Sequence, residues 1–293
     1  MAKGKTKSTA KTVLERIPFA PWTKDLPLVA VVSLSGAIGM STPLRPSLSI
    51  AAVAAILDRA FTMRNVKAVA ISVNSPGGSP VQSALIYKRI RALSEENEVP
   101  VYIFVEDVAA SGGYLIALAG DEIIADQNSI IGSIGVISTS FGFDRAIEKL
   151  GIDRRVYTSG ARKMTLDPFQ PEKPDDVRRL KAVQKDVHQT FIDLVKERRG
   201  SALQAPDRTL FSGEFWSGAK GLELGLVDRI GDLRSEMRGR FGEDVILKII
   251  PRERSFWPFR RQATGSLMSP PLIAPENWIS ALEERAIWSR YGL

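Results

Sequence analysis

Apolar and polar positions alternate along this chain in short blocks, and most blocks are too brief to be anything but strands or single helices. The run LVAVVSL at 28–34 is apolar, rich in β-branched residues and closed by Ser-Gly, which predicts a buried strand. A helical stretch over 50–59 follows, and KAVAISV at 67–73 predicts a second strand, ended by the turn Asn74-Ser75-Pro76-Gly77-Gly78-Ser79-Pro80. Next come a helix near 81–93, a strand at 101–105 and a small-residue turn leading into 113–119. Strands are also predicted at 122–125, 134–138 and 154–158, with a helix at 144–150. From 175 to 199 the residues Val177, Leu180, Val183, Val187, Phe191, Leu194 and Val195 recur at steps of three and four, so a long amphipathic helix is predicted, ending at Gly200. Short strands alternating with helices imply a mostly parallel sheet with helical crossovers, so the fold class is α/β. No repeat of solenoid period is present.

Composition narrows the chemistry. The 293 residues are 44% hydrophobic and 25% charged and include no cysteine, which excludes disulfides, thiolate metal sites and a cysteine nucleophile. The single histidine, His188, lies at the edge of the long helix's apolar stripe and reads as a partly buried residue with a local hydrogen bond. No metal or other cofactor is expected.

The net charge of +7 resides in the tails. Residues 1–24 carry six basic groups against one glutamate, and residues 251–293 carry six arginines against four glutamates, which leaves 25–250 neutral. A nucleic-acid-binding domain concentrates positive charge on its own surface, so nucleic acid is not expected as a partner. Basic tails fit solvated ends or peripheral contact with anionic lipid. The Lys-rich start lacks the apolar core of an export signal, and the uncharged stretch 26–44 is broken by Pro, Gly and Ser, so neither a signal peptide nor a transmembrane helix is read. The expected location is cytoplasmic or peripherally membrane-associated. The expected organisation is a basic tail (1–25), a catalytic domain (26–250) and a C-terminal tail (251–293). In that last tail, aromatics and cations cluster at 255–261, and Trp278, Ile279, Leu282 and Ala286 share one face of a short helix. An interfacial anchor and a tail docked on a neighbouring subunit both fit this chemistry.

Two glycine-bearing turns end predicted strands, where ligands collect in parallel α/β sheets. One is 74–80; the other is Ala109-Ala110-Ser111-Gly112-Gly113-Tyr114, which puts a serine at a strand-to-helix turn among residues too small to bury it. Free amides and the helix dipole there can support an oxyanion. Tight turns requiring positive φ would account for either loop alone. Neither matches a phosphate-binding glycine pattern, and a Ser-His-Asp triad would have only His188 as base. A serine activated by lysine remains.

The series NSPGGS (74–79), ASGGY (110–114), GSIGVI (132–137), SGARKMTLDPF (159–169) and FSGEFWSGAKGLELGLVDRIG (211–231) resembles the signal peptide peptidase A family over about 28–250. The resemblance implies a Clp-protease/crotonase-like spiral of β-β-α units with a mostly parallel sheet, together with a Ser-Lys dyad. Carried onto this chain, Ser111 would be the nucleophile and Lys163, 52 positions downstream, the general base. Gly112 and either Gly77 or Gly78 would supply oxyanion amides, and Ser133 would support the lysine or simply shape a turn. A lysine accepts a proton only when its pKa falls well below ~10.4, which burial can bring about. The resemblance further implies peptide substrates, such as signal-peptide or membrane-protein remnants, and a bacterial homo-oligomeric ring. The transmembrane anchor common in the family is not seen here. An acyl-CoA enzyme of crotonase type and a non-catalytic ring-forming scaffold are the alternatives; the lysine in SGARK argues against the first.

Overall fold

The run 28–34 is strand β1 (Leu28–Ser35), paired in parallel with β2 (Val66–Ser75) on one side and β8 (Ile246–Ile249) on the other. This computed structural model describes residues 26–39, 47–160, 162–251, 285, 286, 288, 289 and 291. With β3 (Val101–Ala110), β5 (Ile130–Gly132) and β6 (Phe215–Ser217) the main sheet runs β6-β5-β3-β2-β1-β8. Strands β4 (Glu122–Ala125) and β7 (Arg229–Ile230) branch from β3. All pairings are parallel except β5 with β6. The mixed α/β, mostly parallel architecture expected from the sequence is therefore present.

Both faces of the central strands are covered, which is why they read as unbroken apolar runs. Ala30, Val32, Leu34, Val69, Ile71 and Val73 point into the larger core, beneath helices α1 (Ile50–Phe61), α2 (Pro80–Asn97) and α3 (Gly112–Ala117). Val29, Ala68, Ala70 and Phe104 point the other way, onto Met237 and Phe241 of α8 (Leu233–Phe241). Each fully buried aliphatic side chain contributes ~1.5–3 kcal/mol, so the two layers hold the sheet from both sides.

Strand β3 divides the work of its outer edge. Residues 102–105 pair with β4 and residues 108–110 with β5. Buried Ser129 closes the fork, its hydroxyl donating to Val105 O and Glu106 O at 3.2 and 2.6 Å. The β2–β3 register also slips after Val73, where Val73 faces Val105 but Ser75 faces Ala109. That bulge brings the ends of the two strands to one place.

Helix α5 (Pro174–Arg199) occupies the predicted 175–199, but the core meets only its C-terminal half: Phe191 and Val195 are buried and Val183 is exposed. Arg198 secures that end by donating to Leu118 O and Gly120 O. Three short helices, α4 (Asp144–Lys149), α6 (Asp207–Leu210) and α7 (Gly218–Glu223), connect the later strands.

Two sequence expectations require correction. Neither 134–138 nor 154–158 is a strand; the strand of that region is β5, which ends at Gly132. A strand needs a neighbouring ladder, and among the described residues these segments have none. No described residue from 136 to 175 is buried, and α4 projects on this exposed arm. Residues 1–25 and the clusters at 255–261 and 278–282 lie outside the described residues, while Ala286 is exposed on a helical fragment. Among the described residues no helix is long and apolar enough to cross a membrane.

Candidate active site

Because Ser75 pairs with Ala109, the two glycine turns leave neighbouring parallel strands at their carboxyl ends, on one side of the sheet. Ser111 sits between β3 and α3 with φ 52° and ψ −121°. A side-chain-bearing residue at such angles costs ~1–3 kcal/mol, so the surroundings must enforce it. They do so through the Ser111 N–H, which donates to Gly132 O at 2.8 Å, and the Ser111 carbonyl, which accepts from Leu115 N at 3.0 Å. The result is a sharp strand-to-helix elbow that leaves the serine half-buried and accessible.

The loop 76–78 lies directly against this elbow. A Cβ added at Gly77 would stand 2.8 Å from Ser111 Cβ and 2.9 Å from Gly112 N. The buried Gly77 N–H is occupied, donating to Ser75 Oγ at 3.2 Å. Among the described residues the exposed Gly78 N–H has no acceptor, and the Gly112 N–H, first in α3, is free as expected at a helix start. Gly78 is held in place by Ile38, whose N–H donates to Gly77 O and whose carbonyl accepts from Ser79 N. Of the two candidate glycines, Gly78 therefore has the available amide, and Gly77 provides the close approach.

Ser133 lies beside the elbow, next to the Gly132 carbonyl that holds Ser111. It too has positive φ, 51°, and its N–H donates to Glu214 O at 2.7 Å. Lys163 is exposed on the 136–175 arm, where its backbone N–H donates to Gly160 O, and no hydrogen bond joins it to Ser111 or Ser133. His188 Nε2 lies 3.0 Å from Ile134 O on the flank of α5, so it is a partly buried helix residue as expected, but its partner is 54 positions away rather than local.

The helix behind Ser111 is rigidly seated. Tyr114 is fully buried and donates its hydroxyl to Leu226 O at 2.7 Å; burial pushes its phenol far above the ordinary value, so it remains a donor at any working pH. Nearby, Arg199 forms a two-pronged pair with Asp228 at 2.8 and 2.9 Å. Burial is the largest single influence on Arg199 and opposes its charge, but the Asp228 bond and the electrostatic contributions of Tyr114 and Asp228 together outweigh it and the pKa rises. No group of three or more His, Asp or Glu suited to a metal ion occurs among the described residues. A cavity of about 410 Å³ lies on the arm between Phe141, Arg145, Met164, Leu166 and Lys173, and its lining does not include Ser111 or the glycine turns.

Sequence reasoning missed Ser75, Ser83, Ile38 and Tyr291. Ser75 and Ser83 are fully buried, and Ser83 Oγ underlies Gly112 where a Cβ would collide with it at 2.4 Å. Their signal was a small polar residue inside otherwise apolar segments. Tyr291 is 158 positions from its partner Ser133, and no local pattern announces such a contact.

Comparison with known proteins bears on this arrangement. Residues 94–238 match the family described as Peptidase family S49. A Synechocystis protein named as a putative protease is 32% identical over 216 residues, 73% of each chain. Protease 4 of Haemophilus influenzae is 34% identical over 213 residues, covering 69% of this chain and 32% of its own. A Brucella abortus protein named Na(+)/H(+) antiporter NhaA is 54% identical over 273 residues, 90% of this chain, but the chain spans only 37% of that relative's length. The order of motifs, the parallel sheet and these matches agree: the chain belongs to peptidase family S49, the signal peptide peptidase A family.

Proposed function

We propose that the chain is a serine peptidase that cleaves peptides through an acyl-enzyme, with Ser111 as nucleophile and Lys163 as general base. The observation that carries this reading is the Ser111 elbow, with its positive φ and the unpaired amides of Gly78 and Gly112 at its side. Ser111 Oγ attacks the peptide carbonyl as its proton passes to the neutral amine of Lys163. The oxyanion is stabilised by the two amides, each such donor being worth ~3 kcal/mol. The lysine then returns the proton to the leaving amine, and water attacks the acyl group to restore Ser111.

Lys163 is exposed on the arm and makes no hydrogen bond to Ser111. The reading that fits best has it supplied by a neighbouring copy in a homo-oligomeric ring. Supporting this, Phe141, Leu150 and Tyr157 are 78%, 73% and 90% exposed on the same arm, a density of apolar surface that marks association. Peptides from membrane or signal segments are the substrate class proposed. The antiporter name of the Brucella relatives is not extended to this chain, which matches 37% of those proteins. The test is hydrolysis of unstructured casein, with an acyl-CoA panel alongside. Ser111→Ala and Lys163→Ala should each abolish casein cleavage, His188→Ala should retain it, and acyl-CoA should not be consumed. Loss with His188→Ala and full activity with Lys163→Ala would overturn the mechanism.

A further inference from the structure

Strand β3 reaches Ser111 only after a detour. Val73 of β2 faces Val105, but Ser75 faces Ala109, so the single residue Asn74 lies opposite three, 106–108. Without that detour Ser75 would face Asp107, and at ~3.3 Å per residue the Ser111 elbow would lie about 7 Å further along the strand from the glycine loop that it touches. The alternation of apolar positions does not choose between these registers. A slip of two residues returns every side chain of β3 to the face it left, so the pattern of buried residues is the same in both. Contacts at the bulge itself must decide.

Two polar contacts hold the bulge. On the β5 side the Ser129 hydroxyl bonds to Val105 O and Glu106 O. On the β2 side Asn74 Nδ2 donates to Asp107 Oδ2 at 2.7 Å, while the backbone carbonyl of Asn74 accepts from Gly36 N at 3.0 Å, just past the end of β1. We propose that Asn74 and Asp107 are a positioning pair, whose bond fixes the two-residue bulge and so sets the Ser111 elbow against the loop 76–78. The inference rests on Ser111 being the nucleophile. Two observations assign the pair this role rather than ordinary surface bonding. Asn74 Oδ1 is buried without a hydrogen-bond partner. Turning the amide over would point this oxygen at the Asp107 carboxylate, so the bond to Asp107 dictates the orientation and outweighs the cost of an unmet acceptor. Asp107 itself is exposed in the middle of the bulge, and among the described residues its side chain has no other hydrogen bond. Bulges beside active sites re-aim side chains in this way.

The experiment compares Asp107→Ala, Asn74→Ala, the double variant and Asp107→Asn with the parent, by turnover of a fluorogenic peptide and by amide hydrogen exchange read by mass spectrometry. Asp107 is exposed, so its truncation opens no cavity in the core. Each single alanine variant should lower kcat at least about fivefold with KM unchanged, because a misplaced elbow weakens only the transition state. Exchange over 109–113, which includes the Ser111 N–H bonded to Gly132 O, should be at least about fivefold faster, while α1 and α8 keep the parent rate. The double variant should lie within about twofold of the lower single variant, since both remove one bond. Asp107→Asn keeps an acceptor for Asn74 Nδ2 and should stay within about twofold of the parent in both readouts. Parent-like kcat or parent-like exchange over 109–113 in Asp107→Ala would overturn the proposal. So would faster exchange spread evenly over the sheet, or an Asp107→Asn variant as impaired as Asp107→Ala. Exchange is read without turnover, so a chain that hydrolyses nothing would refute the peptidase reading while exchange still decided the role of the pair.

Discussion

At the scale of single residues, the candidate site depends on how closely two backbones approach. Gly77 has φ 101°, and an added Cβ would meet Ser111 Cβ and Gly112 N at under 3 Å, so Gly77→Ala should push the loop off the elbow. We expect a loss of about 100-fold or more in kcat/KM and about 1–3 kcal/mol of stability, measured by steady-state kinetics and urea unfolding. A folded Gly77→Ala with parent activity would show that the two turns do not act together. Lys163→Arg tests proton transfer, because arginine keeps the charge but cannot accept a proton. It should be as inactive as Lys163→Ala, and parent-like activity would reduce the residue to a fixed charge. The serine was legible in the sequence because small residues surround it at a strand-to-helix turn. The choice between Gly77 and Gly78 was not, since it depends on the buried Ser75 hydroxyl that takes one amide and leaves the other.

At the scale of elements, the sheet's branch is fastened by charge. Glu122 on β4 accepts from Arg240 of α8 at 2.7 and 2.8 Å and from Arg229 of β7 at 3.2 Å. The Arg240 bonds, more than the Arg229 contact, hold its carboxyl below the usual carboxylate range. A depressed carboxylate stabilises the fold above its unfolded pKa of ~4.3, and that contribution is lost as pH falls through the lower folded value. Glu122→Gln should therefore lower Tm at pH 7 by about 2–4 °C, and the gap should close from about pH 4 downward. A gap that persists at pH 3 would assign the effect to packing rather than charge. Strands β1 to β4 were legible because both their faces are buried and apolar. The segments 134–138 and 154–158 have the same β-branched composition but no neighbouring ladder, and composition does not reveal that lack.

At the scale of the whole molecule, the proposal that a neighbouring copy supplies Lys163 leads to a test that single variants cannot provide. When Ser111→Ala and Lys163→Ala chains are co-refolded in equal amounts, a site shared between copies regains activity wherever an intact serine meets an intact lysine. Random assembly gives roughly a quarter of the parent rate. A site closed within one chain regains none, which would overturn delivery by a neighbour. The assembly should register well above 32.1 kDa in light scattering and should cleave folded proteins poorly.

Local pattern was enough to specify the α/β class, the order of the central strands along the chain, and the two glycine turns. Each of these depends on burial period or on φ > 0, and both are properties of a few consecutive residues. The distances between those pieces were beyond it. The bulge that brings Ser75 opposite Ala109, the Ser75 hydroxyl that leaves Gly78 as the free amide, and the return of Tyr291 to Ser133 join residues far apart in the chain. The exposure of Lys163 belongs with them, because whether a side chain is buried depends on everything that packs around it.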